Sequence, residues 1–407
     1  MRSVEEQINW ILENIATAPA LELPLLDAQG CLLAADIVAE VNLPPWDNSS
    51  MDGYAVRLSD VLGASREFPA ELRVIDDIAA GYLPSRPISA GSCSRIMTGA
   101  PVPEGTEAII PVEETDAGTS RVKVYTQPAD GQFIRALGSD VRAGETLLTA
   151  GTELGPAQLG LLAAVGRNRV PARPRPRVVV ISTGSELVDP GSPLRPGAIY
   201  ESNSYMLAAA ARDAGGVPYR VGLVHDDEDK VLATIEEQLG RADLLITSGG
   251  VSAGAYDVVK SVLSKLGTVE FGGVKMNPGK PQGFGRVGGV PIFTLPGNPV
   301  SSYVSFEVFV RPAIRRMRGL TPERRPLIRA TATEPMKSPW GKTQFMRGIL
   351  GPPRPYGPPH VRPVGGASSH LIGDLALANC FMVIGEDVDE VRIGDQIDVM
   401  SLDREPL

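Results

Sequence analysis

The chain has 407 residues, of which 43% are apolar, and a formal net charge of −9. This length predicts about two to four domains. The acidic balance argues against nucleic acid or an anionic membrane as a partner, because such partners select basic surfaces. No apolar run is long enough to cross a membrane and the charged N-terminus lacks the apolar core of a signal peptide, so we expect a soluble, cytoplasmic protein.

The first third of the sequence predicts one helix followed by a β-rich region. Ser3-Val-Glu-Glu6 fits a capping box, and apolar residues then recur at helical spacing, which predicts a helix ending near Thr17. From Tyr54 to Gly138, short β-like runs alternate with Gly and Pro turns, a pattern typical of a compact β domain. The Arg- and Pro-rich stretch 167–177 is predicted to be a stiff linker with solvated arginines, and an anion-binding arm is the alternative.

Residues 177–317 alternate strand-like and helix-like patterns, which predicts βαβ units and a parallel sheet. Three continuous apolar runs in this region end in glycine-containing turns, within 177–187, 243–254 and 291–302. Parallel strands covered on both faces require such runs, and glycine turns let backbone N–H groups approach a ligand at the strands' carboxyl ends. We therefore expect a site for a phosphorylated ligand there, followed by a helix over 299–317 and a small β domain from 326.

Acidic residues follow the same predicted strands. Glu186, Asp226 and Asp257 all lie at carboxyl ends of parallel strands, which converge on one crevice. Carboxylates would repel a phosphorylated ligand, and a divalent cation between them resolves that conflict. A capping role in the next helix is the default alternative for Asp226 and its neighbour Asp227.

Two glycine motifs in this region fit well-known functional patterns. Gly283-Phe-Gly-Arg-Val-Gly288 fits a dinucleotide-binding motif, but a second strand follows instead of a helix, so we predict a β-hairpin. Gly250-Val-Ser-Ala-Gly254 fits a nucleophile elbow, which leaves a serine hydrolase using Ser252 as an alternative function. Its acid would be Asp257, which lies too close in sequence to the serine to make a good triad partner. The three cysteines are widely separated and are expected to be free thiols.

Six segments, in this order along the chain, resemble the molybdopterin molybdenumtransferase family, which includes MoeA and the gephyrin E domain. They are PPWDNSSMDGYAV (44–56), RIMTGAPVPEG (95–105), ISTGSEL (181–187), TSGGVSAG (247–254), PGKP (278–281) and LPGNPVS (295–301). The resemblance covers essentially the whole chain. It implies molybdenum insertion into adenylylated molybdopterin with release of AMP, the final step of molybdenum cofactor biosynthesis, assisted by Mg²⁺.

The resemblance also implies a multidomain fold of α/β and β domains in an elongated homodimer. An N-terminal domain of helical and extended segments comprises 1–44 with 140–172, and a β-rich inserted domain comprises 45–139. A molybdopterin-binding parallel α/β domain follows at 173–320, with a small C-terminal β-barrel domain at 326–407. Expected partners are adenylylated molybdopterin, molybdate and a second copy, with the molybdopterin adenylyltransferase and acceptor molybdoenzymes as candidate protein partners. A non-catalytic dimeric scaffold is a further alternative, because the gephyrin E domain also organises receptors.

The site residues fall into two groups: the resemblance implies the catalytic residues and Lys280, Pro296, Ser368 and Ser369, and the strand-end pattern predicts the glycine-turn donors and the metal-binding acids. Which of the acids bind metal and which bind substrate is left open. The catalytic residues, of which the last three would also bind metal, are Asp52, Thr98, Asp140, Glu186, Asp226 and Asp257. The substrate-binding residues are Thr183, Gly184, Ser248, Gly249, Gly250, Ser252, Lys275, Lys280, Pro296, Gly297, Asn298, Ser368 and Ser369. Ser185 stands where members commonly have Asp, and Gly273 and Asn277 stand where bacterial members often have basic residues, which leaves the molybdate ligands open.

Overall fold

The structure is a computed structural model that describes residues 1–225, 227–249, 258–266, 269–353 and 355–403. The chain divides into two compact units. The first unit comprises residues 1–21, 30–32 and 172–407, and the second comprises residues 22–29 and 33–171. The four predicted domains are a finer division than these two units and stay a prediction.

The N-terminal helix begins at the predicted capping box but is shorter than predicted. In α1 (Val4–Glu13), the backbone N–H of Glu6 donates to Ser3 Oγ and the backbone N–H of Ser3 donates to the Glu6 carboxylate. The helix ends before Thr17 because the side-chain amide of Asn14 donates to the Trp10 carbonyl at 2.9 Å. The backbone N–H of Asn14 bonds to the Ile11 carbonyl instead, which tightens and closes the last turn.

The elements that follow, as far as residue 173, are mostly short strands. They are β1 (Leu21–Pro24), β2 (Leu32–Leu33), β3 (Ile37–Val38), β4 (Asn48–Ser49), β5 (Gly53–Val56), β6 (Ala70–Ile78), β7 (Ser92–Ile96), β8 (Ala108–Pro111), β9 (Arg121–Val124), β10 (Ile134–Arg135), β11 (Thr146–Leu148), α2 (Pro156–Ala164) and β12 (Arg169–Arg173). Five of them form one sheet in the order β8-β5-β7-β6-β9, which confirms the predicted β-rich region.

Strand β5 lies inside this sheet and is buried along its whole length. A Cβ atom added at Gly53 would lie 1.9 Å from the Ile110 carbonyl oxygen of the neighbouring strand, so this position requires glycine. Tyr54 and Val56 pack into the core on one face of the sheet, and Ala55 packs on the other. The sheet thus fixes the backbone immediately after Asp52.

The α/β part of the first unit contains a six-stranded sheet and its helices. Its elements are β13 (Arg177–Ser182), β14 (Leu187–Val188), β15 (Ile199–Tyr200), α3 (Asn203–Asp213), β16 (Val217–Arg220), α4 (Glu228–Leu239), β17 (Leu244–Ser248), α5 (Val258–Leu266), β18 (Val269–Gly273), β19 (Met276–Asn277), β20 (Pro281–Val287), β21 (Val290–Leu295), α6 (Pro299–Ser305), a π-helical turn (Phe306–Val310) and α7 (Arg311–Arg318). The sheet order is β16-β13-β17-β21-β20-β18. The first four of these strands are parallel, as predicted.

The parallel strands carry the continuous apolar runs seen in the sequence, and both of their faces are covered. Val178 and Val180 pack into one core, while Val179 and Ile181 pack into the other. Strands β20 and β21 form the predicted hairpin, joined at Gly288 and Gly289 in positive-φ conformations. The GxGxxG pattern is therefore a hairpin strand and its turn.

The prediction of a solvated linker at 167–177 is wrong, because this stretch is tied to its surroundings by its own arginines. Arg173 donates to the Ala18 carbonyl, and Arg175 donates to the carbonyls of Gly215 and Gly216. The Arg177 guanidinium donates two hydrogen bonds to the carboxylate of Asp243 in a bidentate arrangement, at 3.0 Å and 2.9 Å. Proline spacing predicted extended backbone correctly, but it carries no information about these long-range acceptors.

The C-terminal part is the predicted small β-barrel. Its elements are β22 (Leu327–Ala332), β23 (Met336–Lys337), β24 (Thr343–Leu350), β25 (His360–Pro363), α8 (Ile372–Leu377), β26 (Cys380–Ile384), β27 (Glu390–Val391) and β28 (Gln396–Ser401). Pairing runs β24-β25-β22-β28-β26 and returns to β24, which closes five strands into a barrel. Strand β19 of the α/β part pairs with β24 and so joins the two parts of the first unit.

Two further sequence expectations bear on the fold. None of Cys31, Cys93 and Cys380 forms a disulfide, as predicted, and all three are buried. Among the helices of the described ranges, none is both long and apolar enough to cross a membrane.

Candidate functional site

The carboxyl ends of β13, β17 and β21 meet at one edge of the sheet, and backbone hydrogen bonds hold their turns together. The Thr183 N–H donates to the Ser248 carbonyl at 3.1 Å, and the Gly249 N–H donates to the Leu295 carbonyl at 3.2 Å. The Gly184 N–H donates to the Val224 carbonyl at 3.3 Å. Sequence reasoning expected these glycine N–H groups to be ligand donors, but in the structure they stabilise the turns themselves.

Gly249 contributes to the site through its backbone conformation and its lack of a side chain. Its φ is +98°, a value that other residues rarely adopt, and an added Cβ atom would lie 2.6 Å from the Thr183 carbonyl oxygen. The turn after β17 can approach the turn after β13 this closely because Gly249 has no Cβ. The glycine motif is therefore explained by close approach of two backbones.

Asn203, at the start of α3, joins the turns after β17 and β21. Its side-chain amide donates to Ser248 Oγ at 2.8 Å and to the Gly297 carbonyl at 2.7 Å. Ser248 Oγ in turn lies 3.5 Å from the Pro296 carbonyl oxygen. Sequence reasoning missed Asn203, although an Asn at the first turn of a helix next to a glycine-turn crevice is a usable signal.

Several buried side-chain oxygens near this edge have no hydrogen-bond partner among the described residues. They are Thr183 Oγ1, Asn203 Oδ1, Thr247 Oγ1, Thr294 Oγ1 and Ser302 Oγ. Buried polar atoms are nearly always satisfied in folded proteins, and sites that lack a partner often bind a ligand or water. This group of unsatisfied oxygens distinguishes the strand-end edge as the candidate site.

The turn after β21 also contacts the C-terminal barrel domain. The side-chain amide of Asn298 donates to Ser369 Oγ at 2.9 Å, and the Val300 N–H donates to the Ser369 carbonyl at 3.1 Å. The predicted substrate residue Ser369 thus lies beside the predicted turn residue Asn298. Its neighbour Ser368 is exposed.

Arg347 holds the same segment in place and was not predicted from the sequence. Its guanidinium is buried on β24 and donates to the Gly366 carbonyl, just before the two serines. Burial lowers the pKa of Arg347, and the negative charge of Asp374 opposes that effect. Arg347 is the single charged residue in the otherwise uncharged strand Thr343–Leu350, and this feature of the sequence could have marked it as a candidate site residue.

The two predicted lysines have different surroundings. Lys275 Nζ lies 3.8 Å from the Glu386 carboxylate, so its charge is partly neutralised by the barrel domain. Lys280 is exposed, and its ammonium has no ion-pair partner among the described residues. The side-chain amide of Asn277 donates to Gln344 Oε1 at 2.6 Å. Lys280 is therefore a cation available to an anionic ligand.

The predicted metal-binding acids are described in part. Glu186 is exposed in the turn after β13, and an added Cβ atom at Gly184 would lie 3.0 Å from its Oε1. Asp226 and Asp257 lie outside the described residues, as do Gly250 and Ser252. Within the described ranges, no group of three or more His, Cys, Asp or Glu side chains could hold a metal ion. Asp227 caps α4 by accepting from the Lys230 N–H at 3.0 Å.

The remaining predicted catalytic residues belong to the second unit. Asp52 Oδ1 accepts hydrogen bonds from both the backbone N–H and the hydroxyl of Thr98. Asp140 is exposed in a loop, and its backbone N–H donates to the Leu43 carbonyl at 3.0 Å. Asp52 and Thr98 therefore form one local pair, and Asp140 is held separately.

Comparison with known proteins accounts for nearly the full length of the chain. "Molybdopterin molybdenumtransferase 2" of Mycobacterium tuberculosis is 48% identical over 412 aligned residues, which cover 99% of this chain and all of the relative. The chain belongs to the molybdopterin molybdenumtransferase family. A Bacillus subtilis "molybdopterin molybdenumtransferase" is 35% identical, over 94% of this chain and 89% of its own length.

Family models and a solved structure agree with this membership. Residues 2–166 match the MoeA N-terminal region (domain I and II), residues 179–316 match a probable molybdopterin binding domain, and residues 329–402 match the MoeA C-terminal region (domain IV). The crystal structure of the molybdopterin biosynthesis moeA protein from Pyrococcus horikoshii superimposes with a TM-score of 0.74. It is 30% identical and covers 98% of this chain and 99% of its own. The multidomain fold expected for a molybdopterin molybdenumtransferase is thereby confirmed.

Proposed function

We propose that this chain is an enzyme that transfers molybdenum to molybdopterin in molybdenum cofactor biosynthesis. More specifically, it inserts molybdenum from molybdate into the dithiolene of adenylylated molybdopterin, and AMP is released. The observation that carries the proposal is the full-length similarity to relatives named molybdopterin molybdenumtransferase, at 48% identity. The strand-end site is suited to such a substrate because it combines buried oxygens and an exposed ammonium that have no partner among the described residues.

The charges of the two substrates explain why the site needs a cation. Adenylylated molybdopterin contains a phosphoanhydride, and molybdate is a dianion, so both repel the carboxylate of Glu186. The exposed ammonium of Lys280 offsets part of this charge. The segment held by Asn298 and Ser369 adds hydroxyl and amide groups that hydrogen-bond oxyanions.

Mg²⁺ is the proposed metal, because carboxylate oxygens are the ligands it prefers. Glu186 would contribute one carboxylate from the Gly184 turn, together with Asp226 and Asp257. When bound, the ion supplies charge neutralisation to the phosphoanhydride. The residues of this chain orient the substrate: the glycine turns set the shape of the crevice, and Lys280 pairs with an anionic group.

Roles in the reaction are also proposed for Asp52, Thr98 and Asp140. Asp52 is a fixed carboxylate that stays ionised at neutral pH, because two donors of Thr98 point at one of its oxygens. Asp140 is exposed and free to contact a ligand. A homodimer is proposed as the working assembly, and sedimentation at micromolar concentration would test it by distinguishing one copy from two.

The decisive experiment supplies the purified protein with adenylylated molybdopterin, molybdate and Mg²⁺ and measures reconstitution of an apo-molybdoenzyme. We expect reconstituted activity and stoichiometric AMP. Neither product should form when molybdate is omitted, and absence of both in the complete mixture would reject the function. A serine hydrolase using Ser252 is not proposed, because the relatives are named as transferases and nothing in the described residues favours it.

A further inference from the structure

Asn203 occupies a position that no substrate-site prediction included. It is nine-tenths buried at the start of α3, with 9% of its surface exposed. Its amide donates to Ser248 Oγ at 2.8 Å and to the Gly297 carbonyl at 2.7 Å. Ser248 ends β17 and Gly297 lies in the turn after β21, and both were predicted to bind the substrate. A single side chain therefore links two separate parts of the candidate site.

The link lies where the sheet itself no longer connects the two turns. Strands β17 and β21 are paired up to Ser248 and Leu295, and the Gly249 N–H makes one more bond to the Leu295 carbonyl. Beyond that point the turns leave the sheet. Asn203 links Ser248, the last residue of β17, to Gly297, which lies two residues beyond the end of β21, so its amide helps to set the spacing between them.

The orientation of the Asn203 amide follows from its acceptors. The Gly297 carbonyl can only accept a hydrogen bond, so the nitrogen of the amide must face it. Oδ1 of Asn203 then lies buried without a partner among the described residues. An unsatisfied buried oxygen destabilises the fold. Both hydrogen bonds that the amide nitrogen donates therefore go to the ends of β17 and β21, where the candidate site lies.

We propose that Asn203 is a positioning residue for adenylylated molybdopterin, because it holds the turns after β17 and β21 at the separation that the substrate requires. This inference rests on the proposed function. Asn203 does not touch the reacting atoms in this proposal. Its contribution is to substrate binding, through Ser248 and Gly297.

The test is the Asn203→Asp variant, which keeps the shape of the side chain but removes the donors. A carboxylate would face the Gly297 carbonyl, so we expect the Kd for adenylylated molybdopterin, measured by equilibrium dialysis without molybdate, to rise about tenfold or more. Burial raises the pKa of the new carboxyl, and its protonated form can donate one hydrogen bond. Part of the affinity should therefore return as the pH is lowered toward about 6, whereas a purely structural defect should not be repaired by acid.

Asn379→Asp is the matched control. Asn379 lies in the barrel domain, and its side-chain amide also holds backbone in place, donating to the Leu350 carbonyl at 3.0 Å and accepting from the Leu350 N–H at 2.7 Å. We expect this variant to lower Tm with the Kd unchanged. Equal shifts of Kd in the two variants, or a Kd within about twofold of wild type in Asn203→Asp, would overturn the proposal.

Two further outcomes are distinguishable. If Asn203→Asp does not fold, Ser248→Ala removes one acceptor and keeps the rest of the clamp, and it should weaken binding several-fold; an unchanged Kd would again overturn the inference. If the wild-type protein itself does not bind adenylylated molybdopterin, the proposed function fails. The positioning role then fails as well, and this outcome is recognised because the defect is already present without any substitution.

Discussion

Thr98 fixes the carboxylate of Asp52 by donating twice to one oxygen: its backbone N–H and its hydroxyl each lie 2.7 Å from Oδ1. These donors favour the charged carboxylate, so the pKa of Asp52 lies below its ordinary value, and the backbone bond is the larger cause. Asp52 is exposed, so this geometry adds little to folding stability. An ionised, oriented and accessible carboxylate is suited to chemistry.

The first prediction concerns the charge of Asp52. Asp52→Asn keeps the shape and can still accept both bonds from Thr98, but it removes the negative charge. We expect the variant to bind adenylylated molybdopterin with nearly wild-type affinity and to release AMP at least about a hundredfold more slowly. Asp116→Asn is the control, because Asp116 accepts backbone bonds from Gly118 and Lys123 in a turn of the same unit. Weak substrate binding by Asp52→Asn would return Asp52 to a structural role.

Removal of the Glu186 carboxylate tests the proposed metal site. Glu186 is exposed, so Glu186→Ala leaves no buried charge without a partner and should keep the fold. We expect a barrier increase of about 3 kcal/mol, on the order of a hundredfold in rate, measured as AMP release at saturating Mg²⁺. Glu236→Ala, an exposed glutamate on α4, should have wild-type activity. Equal rates in the two variants would remove Glu186 from the mechanism.

Gly249→Ala tests whether close approach of the β13 and β17 turns matters. Alanine would be strained at a φ of +98°, and its Cβ atom would lie 2.6 Å from a backbone oxygen that cannot move far. We expect a loss of about 1–3 kcal/mol in the free energy of unfolding together with weaker substrate binding. Gly222→Ala is the control, since an added Cβ atom there meets no heavy atom within 4 Å. A Gly249→Ala protein with unchanged Tm and Kd would contradict this explanation of the motif.

The sequence predicted the architecture well because its signals are local. The continuous apolar runs of β13 and β17 gave a parallel sheet, and the absence of a helix after Gly288 gave a hairpin. Helices α4 (Glu228–Leu239) and α5 (Val258–Leu266) lie in the region where alternating strand-like and helix-like patterns predicted βαβ units. In each case, a periodic pattern of a few residues determines the element.

The site was less predictable because its key contacts are long-range. Asn203 is separated from Gly297 by 94 positions and Asn298 from Ser369 by 71, so spacing along the chain gives no indication of either contact. The arginines of 167–177 were misjudged for the same reason, because Arg175 finds its acceptors at Gly215 and Gly216. The local sequence pattern and the family resemblance supplied the candidate residues, and tertiary contacts determine which of their hydrogen-bond donors already have a partner.

The buried cysteines predict a specific pH dependence. Burial raises the pKa of Cys93 to about 12 and is also the largest cause of the rise in the pKa of Cys380 to about 12. In the unfolded chain these thiols ionise at ordinary values, so their contribution to stability is complete below about pH 9 and is lost as the pH rises toward about 12. We expect the urea concentration at the midpoint of unfolding to stay level up to about pH 9 and to fall between about pH 9 and pH 11.

Thiol labelling checks the same point independently. At about pH 8 the native protein should react slowly at Cys93 and Cys380, and urea should expose both to rapid labelling, because the thiolate is the reactive form. Cys93→Ala should reduce the slope of stability against pH, because one of the shifted groups is then absent. Rapid labelling of Cys93 in the native protein would contradict its burial.

The last prediction separates the two lysines of the candidate site. Lys280 is exposed and unpaired within the described ranges, whereas Lys275 lies 3.8 Å from the Glu386 carboxylate. A free ammonium gains a strong charge-assisted bond when an anion binds, while a paired ammonium must first share its charge with the ligand. Lys280→Ala should therefore raise the KM for adenylylated molybdopterin about tenfold or more, and Lys275→Ala should raise it by a smaller factor.

Salt dependence and neutralisation of Glu386 distinguish this explanation from a loss of packing. The Lys280 effect should shrink as ionic strength rises, because screening weakens an exposed charge pair. Glu386→Gln releases Lys275 from its partner, so it should lower the KM or leave it unchanged, and in that background Lys275→Ala should become more harmful. If Lys275→Ala is the more damaging single substitution in the wild-type background, then the ion pair with Glu386 does not limit Lys275, and the assignment of the anion-binding cation moves from Lys280 to Lys275.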